Sequence, residues 1–316
     1  MSSSKANYTK LEQEMIEAND VDVNLNKADH VVHKAKVSSI YSNLISLFSS
    51  ERSLFFMRVF SAFFCGLSSF LIIVANKVVL TTYRFPSFNI LGLGQMIATI
   101  VIISCGKKLK LFTYPNCSMD TARKAFPLPL FYFGNLLSGL GGTQRLSLPM
   151  FTILRRFTIL MTMIGEFFIL RVRQSNAITF SVFAMITGTI IAAIDDLSFD
   201  TTGYAFVLTN DFFTAANGVY IKKKLHSKEL GKYGLLYYNC LFTIIPLFIV
   251  TWIAGDFEKA KNFHAWTDIG FLINFLSSCV MGFLLMYSTV LCTHYNSALT
   301  TTIVGCLKNI FVTYIG

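Results

Sequence analysis

Basic side chains occur inside stretches of this sequence that are otherwise apolar enough to cross a membrane. There are four of them: Lys77, Arg155, Arg156 and Lys308. Burying an ionisable group in hydrocarbon is expensive, so each is a candidate functional residue. Only two acids, Glu166 and Asp211, share this environment. The excess of buried positive charge indicates a site whose counter-charge comes partly from an anionic ligand.

Helix geometry places most of these groups at comparable depths, although alternatives stay open. Asn210 and Asp211 lie as deep in the sixth apolar run as the arginines lie in the fourth, and Asp211 could be a structural counter-ion instead. Lys77 is close to the end of its run and could extend to the interface. Glu166 follows Arg155 by eleven residues and returns to the same helix face, so it could neutralise that arginine or a basic loop residue.

A short polar stretch opens the seventh run, and it allows two interpretations. Tyr237 and Tyr238 precede Asn239. They could form part of an aromatic belt at the membrane surface. They could equally supply a stacking platform and an amide that reads the edge of a heterocyclic base. Small residues such as Gly139 and Gly305 allow either close helix packing or a close approach of the backbone to a ligand.

Composition and apolar runs predict an all-α, polytopic membrane protein. Hydrophobic residues make up 53% of the 316 positions and charged residues only 14%, against roughly 25% in soluble domains. A spanning helix needs about 20 mostly apolar residues. The candidate runs are 54–80, 88–105, 125–142, 149–170, 177–194, 203–221, 234–253, 269–292 and 297–316. Residues 1–52 are polar and of mixed charge, which is typical of a disordered tail, and 53–316 form the transmembrane domain.

Charged loops predict the orientation. Basic residues concentrate in loops 106–124, 171–176 and 222–233, whereas the alternate loops hold acids such as Asp195 and Asp196. The positive-inside rule then places the three basic loops and the N-terminal tail in the cytosol. The net charge of +10 is spread over these short loops and does not indicate nucleic-acid binding.

Other classes of protein find little support. The seven cysteines form no CxxC pair, and we expect neither a metal nor a cofactor. A membrane glycosyltransferase would need paired carboxylates or a metal facing water, and Asp195-Asp196 is the nearest approach to such a pair. We therefore expect a protein that is not an enzyme. The order glycine-rich helix, polar turn, cation-bearing helix occurs at 134–156 and again at 282–308, as in transporters built from two repeated halves.

Several strings in the chain resemble eukaryotic nucleotide-sugar transporters of the drug/metabolite transporter superfamily. They are Asn76-Lys77, LPMFTILRRFT (148–158), NDFFTAANGVY (210–220), ELGKYGLLYYN (229–239) and YNSALTTTIVGCLKN (295–309). Together they are similar to the branch that carries UDP-glucuronic acid, UDP-N-acetylgalactosamine and UDP-N-acetylglucosamine. The resemblance covers about residues 54–316.

The resemblance implies a ten-helix fold with two pseudo-repeated halves in the Golgi or endoplasmic reticulum membrane. It implies exchange of cytosolic UDP-sugar for lumenal UMP, with alternative substrates among other phosphorylated metabolites. It also implies binding roles for motif residues, which add Asn76, Asn217 and Asn309 to the candidates above. The ligands implied are UDP-sugars and UMP within a lipid bilayer, and a homodimer is left open.

Two motifs of GDP-mannose transporters have altered counterparts here. A Phe-Tyr-Asn-Asn motif for the base corresponds to Tyr237–Cys240, where Cys240 replaces the last Asn. A Gly-Ala-Leu-Asn-Lys motif for sugar and phosphate corresponds to Gly305–Asn309, where Lys308-Asn309 reverses the order. These departures fit a base other than guanine.

The ninth run stops at Gly316 without a polar tail. This ending suggests a chain truncated in its ninth helix, without the tenth helix of the family. A further alternative is therefore a non-transporting partner that pairs with a full-length transporter.

Overall fold

The computed structural model describes residues 51–315 except 117, 195–199 and 228, and the side chains of 136, 140–144, 148 and 308–315 are also left undescribed. The predicted tail, 1–52, lies almost wholly outside the described residues. The chain divides into two units, residues 1–57 and 58–316. The described part of the first unit, 51–57, is helical. All the contacts discussed below belong to the second unit.

Each predicted apolar run corresponds to helix in the structure, and two short α-helices and the 3-10 helix His264–Thr267 lie between runs in the described part of the chain. In chain order the helices are α1 (Glu51–Thr82, π-helical over Val78–Thr82), α2 (Phe88–Lys108), α3 (Met119–Ala125), α4 (Leu128–Arg145), α5 (Leu148–Leu154), α6 (Phe157–Gly165, continued by the π-helical Glu166–Leu170), α7 (Asn176–Ile194), α8 (Thr201–Ser227), α9 (Gly231–Ile253), α10 (Asp256–Lys261), α11 (Ile269–Tyr295) and α12 (Ala298–Ile315). Within the described residues, α1, α2, α7, α9 and α11 are long and apolar enough to cross a membrane. The prediction of an all-α polytopic membrane protein is confirmed.

The fourth apolar run differs from its prediction, because it is not one helix. The α-helix stops at Leu154 and resumes at Phe157. Across this break the backbone bonds span three residues: the N–H of Arg156 donates to Ile153, and that of Thr158 donates to Arg155. Such tightened turns in the middle of a helix frequently mark functional positions. A pattern of apolar residues over some 20 positions contains no signal for the break.

Two of the three basic loops, 106–124 and 222–233, come together at one end of the helix bundle, called here the basic end. Phe112, in loop 106–124, stacks on Tyr233 at a centroid distance of 4.1 Å, and Tyr233 stacks on Tyr287 near the end of α11. The ammonium of Lys232 lies 4.9 Å from the ring centroid of Tyr295. The contact between these two loops agrees with the charge pattern, whereas the position of loop 171–176 on the same side and the cytosolic assignment of this end stay predictions.

Glycines allow neighbouring helices to approach closely. A Cβ atom on Gly282 of α11 would lie 2.6 Å from the Cβ of Gln95 on α2, and one on Gly134 of α4 would lie 2.7 Å from the ring of Phe213 on α8. No real Cβ contact is that short, so these helix pairs require glycine. Close packing is the usual role of small residues in membrane helices.

We expect Gly282→Ala to destabilise the protein by about 1–3 kcal/mol, the usual cost of overpacking. The Cβ of Gln95 is fixed to its backbone, so α2 and α11 would have to separate. Thermal unfolding in detergent measures the loss. Gly188→Ala is the matched control, because nothing lies within 4 Å of a Cβ there. Equal melting temperatures for the two variants would contradict the packing argument.

Candidate functional site

A cavity of about 370 Å³ lies among α1, α4, α5, α6, α8, α11 and α12. This volume is within the range of about 300–1,000 Å³ usual for small-molecule sites. Its polar lining residues are Ser69, Asn135, Arg155, Thr158, Thr214, Asn217, Thr289, Thr293, Thr301 and Thr302. Among the predicted site residues, it brings together Arg155, Asn217 and Gly305. Arg155 sits at the break between α5 and α6, so the discontinuity of the helix coincides with a cationic lining residue, which is the only one among the side chains that the structure describes.

A chain of hydrogen bonds runs from Arg155 across α8 to α4. Nη1 of Arg155 donates to Oδ1 of Asn210 at 2.6 Å, and Nδ2 of Asn210 donates to Oδ1 of Asn135, also at 2.6 Å. The hydroxyl of Thr214 donates to the same Oδ1 of Asn135 at 2.8 Å. Because a guanidinium can only donate, it fixes the orientation of the Asn210 amide, which in turn fixes that of Asn135.

Because of these hydrogen bonds, the polar groups of Arg155 and Asn135 that remain for a ligand are hydrogen-bond donors. The side-chain oxygen of Asn135 accepts from Asn210 and shares the single proton of the Thr214 hydroxyl with the carbonyl of Asn210, so the Nδ2 of Asn135 is the polar group left for a ligand. Arg155 likewise has only N–H groups to offer. Donors converging on one cavity suit an oxygen-rich anion, and the guanidinium fork matches phosphate in particular.

Asp211 partly compensates the charge of Arg155. Its Oδ1 lies 3.8 Å from Nε of Arg155 and accepts a hydrogen bond from the Thr158 hydroxyl at 2.5 Å. The carboxylate is fully buried, whereas the Arg155 side chain is 24% exposed, towards the cavity. Of the alternatives that the sequence left open for Asp211, the structure matches that of a structural counter-ion, here to Arg155.

Asn210 and Asp211 themselves stand behind the cavity wall. Both are buried, at 1% and 0% exposure, and neither is a lining residue. Their predicted role in binding is therefore indirect in this structure, through the orientation and charge of Arg155.

The base-reading stretch at the start of α9 packs into the protein core. Tyr238 is 0% exposed, and its hydroxyl donates to the carbonyl of Pro115 at 2.7 Å. Tyr237 is half-buried with its ring 4.9 Å from that of Tyr114. Asn239 has a buried Oδ1 without a hydrogen-bond donor. None of the three lines the cavity, so neither an exposed aromatic belt nor a platform within this cavity describes them.

The remaining predicted residues are dispersed. Asn76 accepts from Gln95 and Ser278, and so links α1, α2 and α11. Lys77 is exposed, as expected for a lysine that extends towards the membrane surface. Arg156 is the N-cap residue that precedes α6, and it is half-buried and outside the cavity lining. Lys308 and Asn309 fall within α12, but their side chains lie outside the described part.

Sequence reasoning missed Asn135, and it left open whether Glu166 neutralises Arg155 or a basic loop residue. An amide in an apolar run was a readable signal for Asn135, although its link to Asn210 depends on the packing of α4 against α8. Glu166 does not pair with Arg155: Oε1 accepts from the N–H of Leu299 at 3.0 Å, and Oε2 accepts from Gln174 at 2.8 Å. The N-terminus of α12 therefore holds Glu166. An argument confined to one helix could not identify this partner.

Comparison with known proteins identifies relatives over most of the chain. The profile of the Triose-phosphate Transporter family matches residues 57–316. The chain is 56% identical over 266 residues to the UDP-sugar transporter UST74c of Drosophila melanogaster, covering 84% of this chain and 71% of the relative. It is 53% identical over 276 residues to the UDP-sugar transporter sqv-7 of Caenorhabditis elegans, with coverages of 85% and 82%. It is 54% identical over 259 residues to the nucleotide sugar transporter SLC35D2 of Homo sapiens, with coverages of 82% and 77%.

A double-mutant cycle tests the pairing of Arg155 with Asp211. We expect Arg155→Met or Asp211→Leu alone to cost about 3–5 kcal/mol, because each leaves a buried charge without its partner. The double variant should lose less than the sum of the two single variants. Thermal unfolding of the purified protein in detergent gives all four values. Strictly additive losses would show that the two residues are not coupled.

Proposed function

This chain belongs to the Triose-phosphate Transporter family, and we propose that it is an antiporter that imports UDP-sugars into the Golgi or endoplasmic reticulum lumen in exchange for UMP. The relationship to nucleotide-sugar transporters that its motifs predicted is confirmed. The proposed substrates are UDP-glucuronate, UDP-N-acetylgalactosamine and UDP-N-acetylglucosamine. Their import would supply lumenal glycosyltransferases for glycosaminoglycan and glycoprotein synthesis.

The observation that carries this proposal is the donor set of the cavity. Nucleoside diphosphates and UMP share phosphate oxygens, which accept hydrogen bonds and carry negative charge. The free N–H groups of Arg155 and the Nδ2 of Asn135 are the complementary groups. UDP-sugar and UMP would therefore compete for the same site. Asn217 contributes a further amide to the same wall.

The proposed cycle is alternating access around this cavity. Its lining comes from the N-terminal part of the chain through α1, α4, α5 and α6, and from the C-terminal part through α8, α11 and α12. Transporters with repeated halves place their sites between those halves, commonly at discontinuous helices. The break at Arg155 supplies one such discontinuity.

Uptake into liposomes tests the exchange. Radiolabelled UDP-sugars are offered to proteoliposomes that are preloaded with UMP, with empty liposomes as the control. We expect UMP to stimulate uptake, and a panel of sugars identifies the preferred substrate. Uptake that is independent of internal UMP would contradict antiport.

A transporter of another phosphorylated metabolite is the second candidate, favoured by the family that matches. Triose phosphates carry the same acceptor groups but no base. Competition for uptake distinguishes the two candidate functions. UMP and other uridine nucleotides are compared with triose phosphate and GDP-mannose as inhibitors at equal concentration. Inhibition by uridine nucleotides alone supports the UDP-sugar proposal. Inhibition by triose phosphate alone would replace it with the second candidate.

Substitution of Arg155 tests the phosphate site. Arg155→Gln removes a charge-assisted contact worth about 1.5–3 kcal/mol, so we expect the apparent affinity for UMP to fall at least about tenfold. Arg123→Gln is the matched control, because Arg123 is exposed on α3 and distant from the cavity lining. Equal affinities in the two variants would exclude Arg155 from the site.

Lys308→Ala tests the residue that the sequence places in α12. Lys308 is the cation that the sequence pattern places deepest in the membrane, and we propose that it binds the diphosphate together with Arg155. Exchange should then be abolished, whereas the melting temperature should stay close to that of the unchanged chain. Preserved exchange would refute the proposed role of Lys308.

A further inference from the structure

The turn between α11 and α12 is held by a half-buried lysine that the sequence pattern had placed in a loop. Lys222 belongs to α8, and its Nζ donates to the carbonyls of Thr293 at 2.8 Å, His294 at 3.2 Å and Asn296. An ammonium has three N–H donors, so all three are used. The last carbonyls of a helix lack partners within the helix, and the dipole favours a cation there. Lys222 therefore caps the C-terminus of α11.

An acid caps the other side of the same turn. Oε1 of the buried Glu166 accepts from the N–H of Leu299, in the first turn of α12. Free N–H groups at a helix N-terminus favour an anion. The turn is thus held between a cation on α8 and an anion on α6, and neither charge needs the other as a direct partner.

A third contact ties the turn to α1. Nδ2 of Asn296 donates to the carbonyl of Arg58 and to the hydroxyl of Ser61, at 3.1 Å each. Side chains and backbone of α1, α6 and α8 consequently converge on the few residues that join α11 to α12. We call Lys222, Glu166 and Asn296, with the turn they hold, the latch.

The latch adjoins one end of the cavity. Three cavity-lining residues are adjacent in sequence to the latch or to its turn. They are Ile221 beside Lys222, Thr293 beside His294, and Ala298 beside Ser297. α11 and α12 both contribute lining residues immediately beyond the turn. Displacing the turn would therefore separate cavity-lining segments of these helices at the basic end.

We propose that the latch is the gate at the basic end of the cavity and that Lys222 is its positioning residue. The inference deepens the proposed function, on which it rests for its place in a transport cycle. The bonds that Lys222 makes go to backbone carbonyls, which water can satisfy once the turn moves. Closing the gate restores three bonds at once, so the turn has a defined closed position.

Side-specific labelling in sealed vesicles tests the gate. Two cavity-lining residues, Cys65 and Cys306, are the reporters. A membrane-impermeant maleimide is added from the side of the basic end, and the labelled peptides are measured by mass spectrometry. The exposed lysines Lys108 and Lys110 show which vesicle face carries that end, through an impermeant amine reagent.

We expect Lys222→Met to raise the labelling rate of Cys65 and Cys306 from the basic end at least tenfold. It should also slow exchange more than it weakens UMP affinity, and Lys222→Arg should restore part of the protection. Lys223→Met is the matched control and should label like the unchanged chain, since Lys223 is exposed and faces Tyr220. If Lys222→Met does not fold, Asn296→Ala tests the same latch through its contact with α1.

Two results would overturn the proposal. One is unchanged protection in a Lys222→Met variant whose melting temperature matches that of the unchanged chain. The other is labelling that rises equally from both membrane faces, which indicates general loosening. Failure of the proposed function gives a different result: UMP exchange would be absent from the unchanged chain, while the one-sided change in labelling would persist.

Discussion

The constraint on which this structure depends is that a charge inside an apolar span needs a partner, since hydrocarbon supplies none. The chain meets it in two ways. Arg155 is paired with Asp211 and bonded to Asn210. Lys222 and Glu166 instead satisfy the free ends of helices α11 and α12. Each solution joins segments far apart in sequence, so the charged groups specify which helices meet as well as what they bind.

The same charged residues stabilise the two irregular segments of backbone discussed above, the break at Arg155 and the turn after Tyr295. Non-helical backbone at membrane depth is tolerated where it is buried in protein or lines a cavity. The break at Arg155 and the turn after Tyr295 both adjoin the one cavity discussed here, and both carry backbone groups that side chains or neighbouring turns satisfy. Regular helices such as α7, with mostly exposed apolar side chains, carry no buried charge among their described residues. Irregularity and charge are therefore concentrated where a ligand can reach them.

The fold could be predicted from sequence further than the site. Apolar runs of about 20 residues predicted the helices because hydrocarbon imposes length and composition together. Lys222 was assigned to a loop, since a lysine after an apolar run normally marks the membrane surface, and only the packing of α8 against α11 and α12 shows its role. Tyr238 was a candidate for an aromatic belt or a base platform and lies in the core, because a tyrosine hydroxyl with a backbone acceptor can be buried. Local patterns do not contain these long-range pairings.

The pairing of Arg155 with Asp211 also changes how exchange should be explained. An unpaired buried cation would make every empty transition costly, and the sequence alone suggested that explanation. With Asp211 at 3.8 Å, however, the empty site keeps a compensated arginine. Binding must then redirect the free N–H groups of Arg155 and Asn135 to phosphate while the buried pair stays intact. Under the proposed function, the barrier to an empty return lies less in Arg155 than in the latch, whose three lysine bonds must break before the basic end can open.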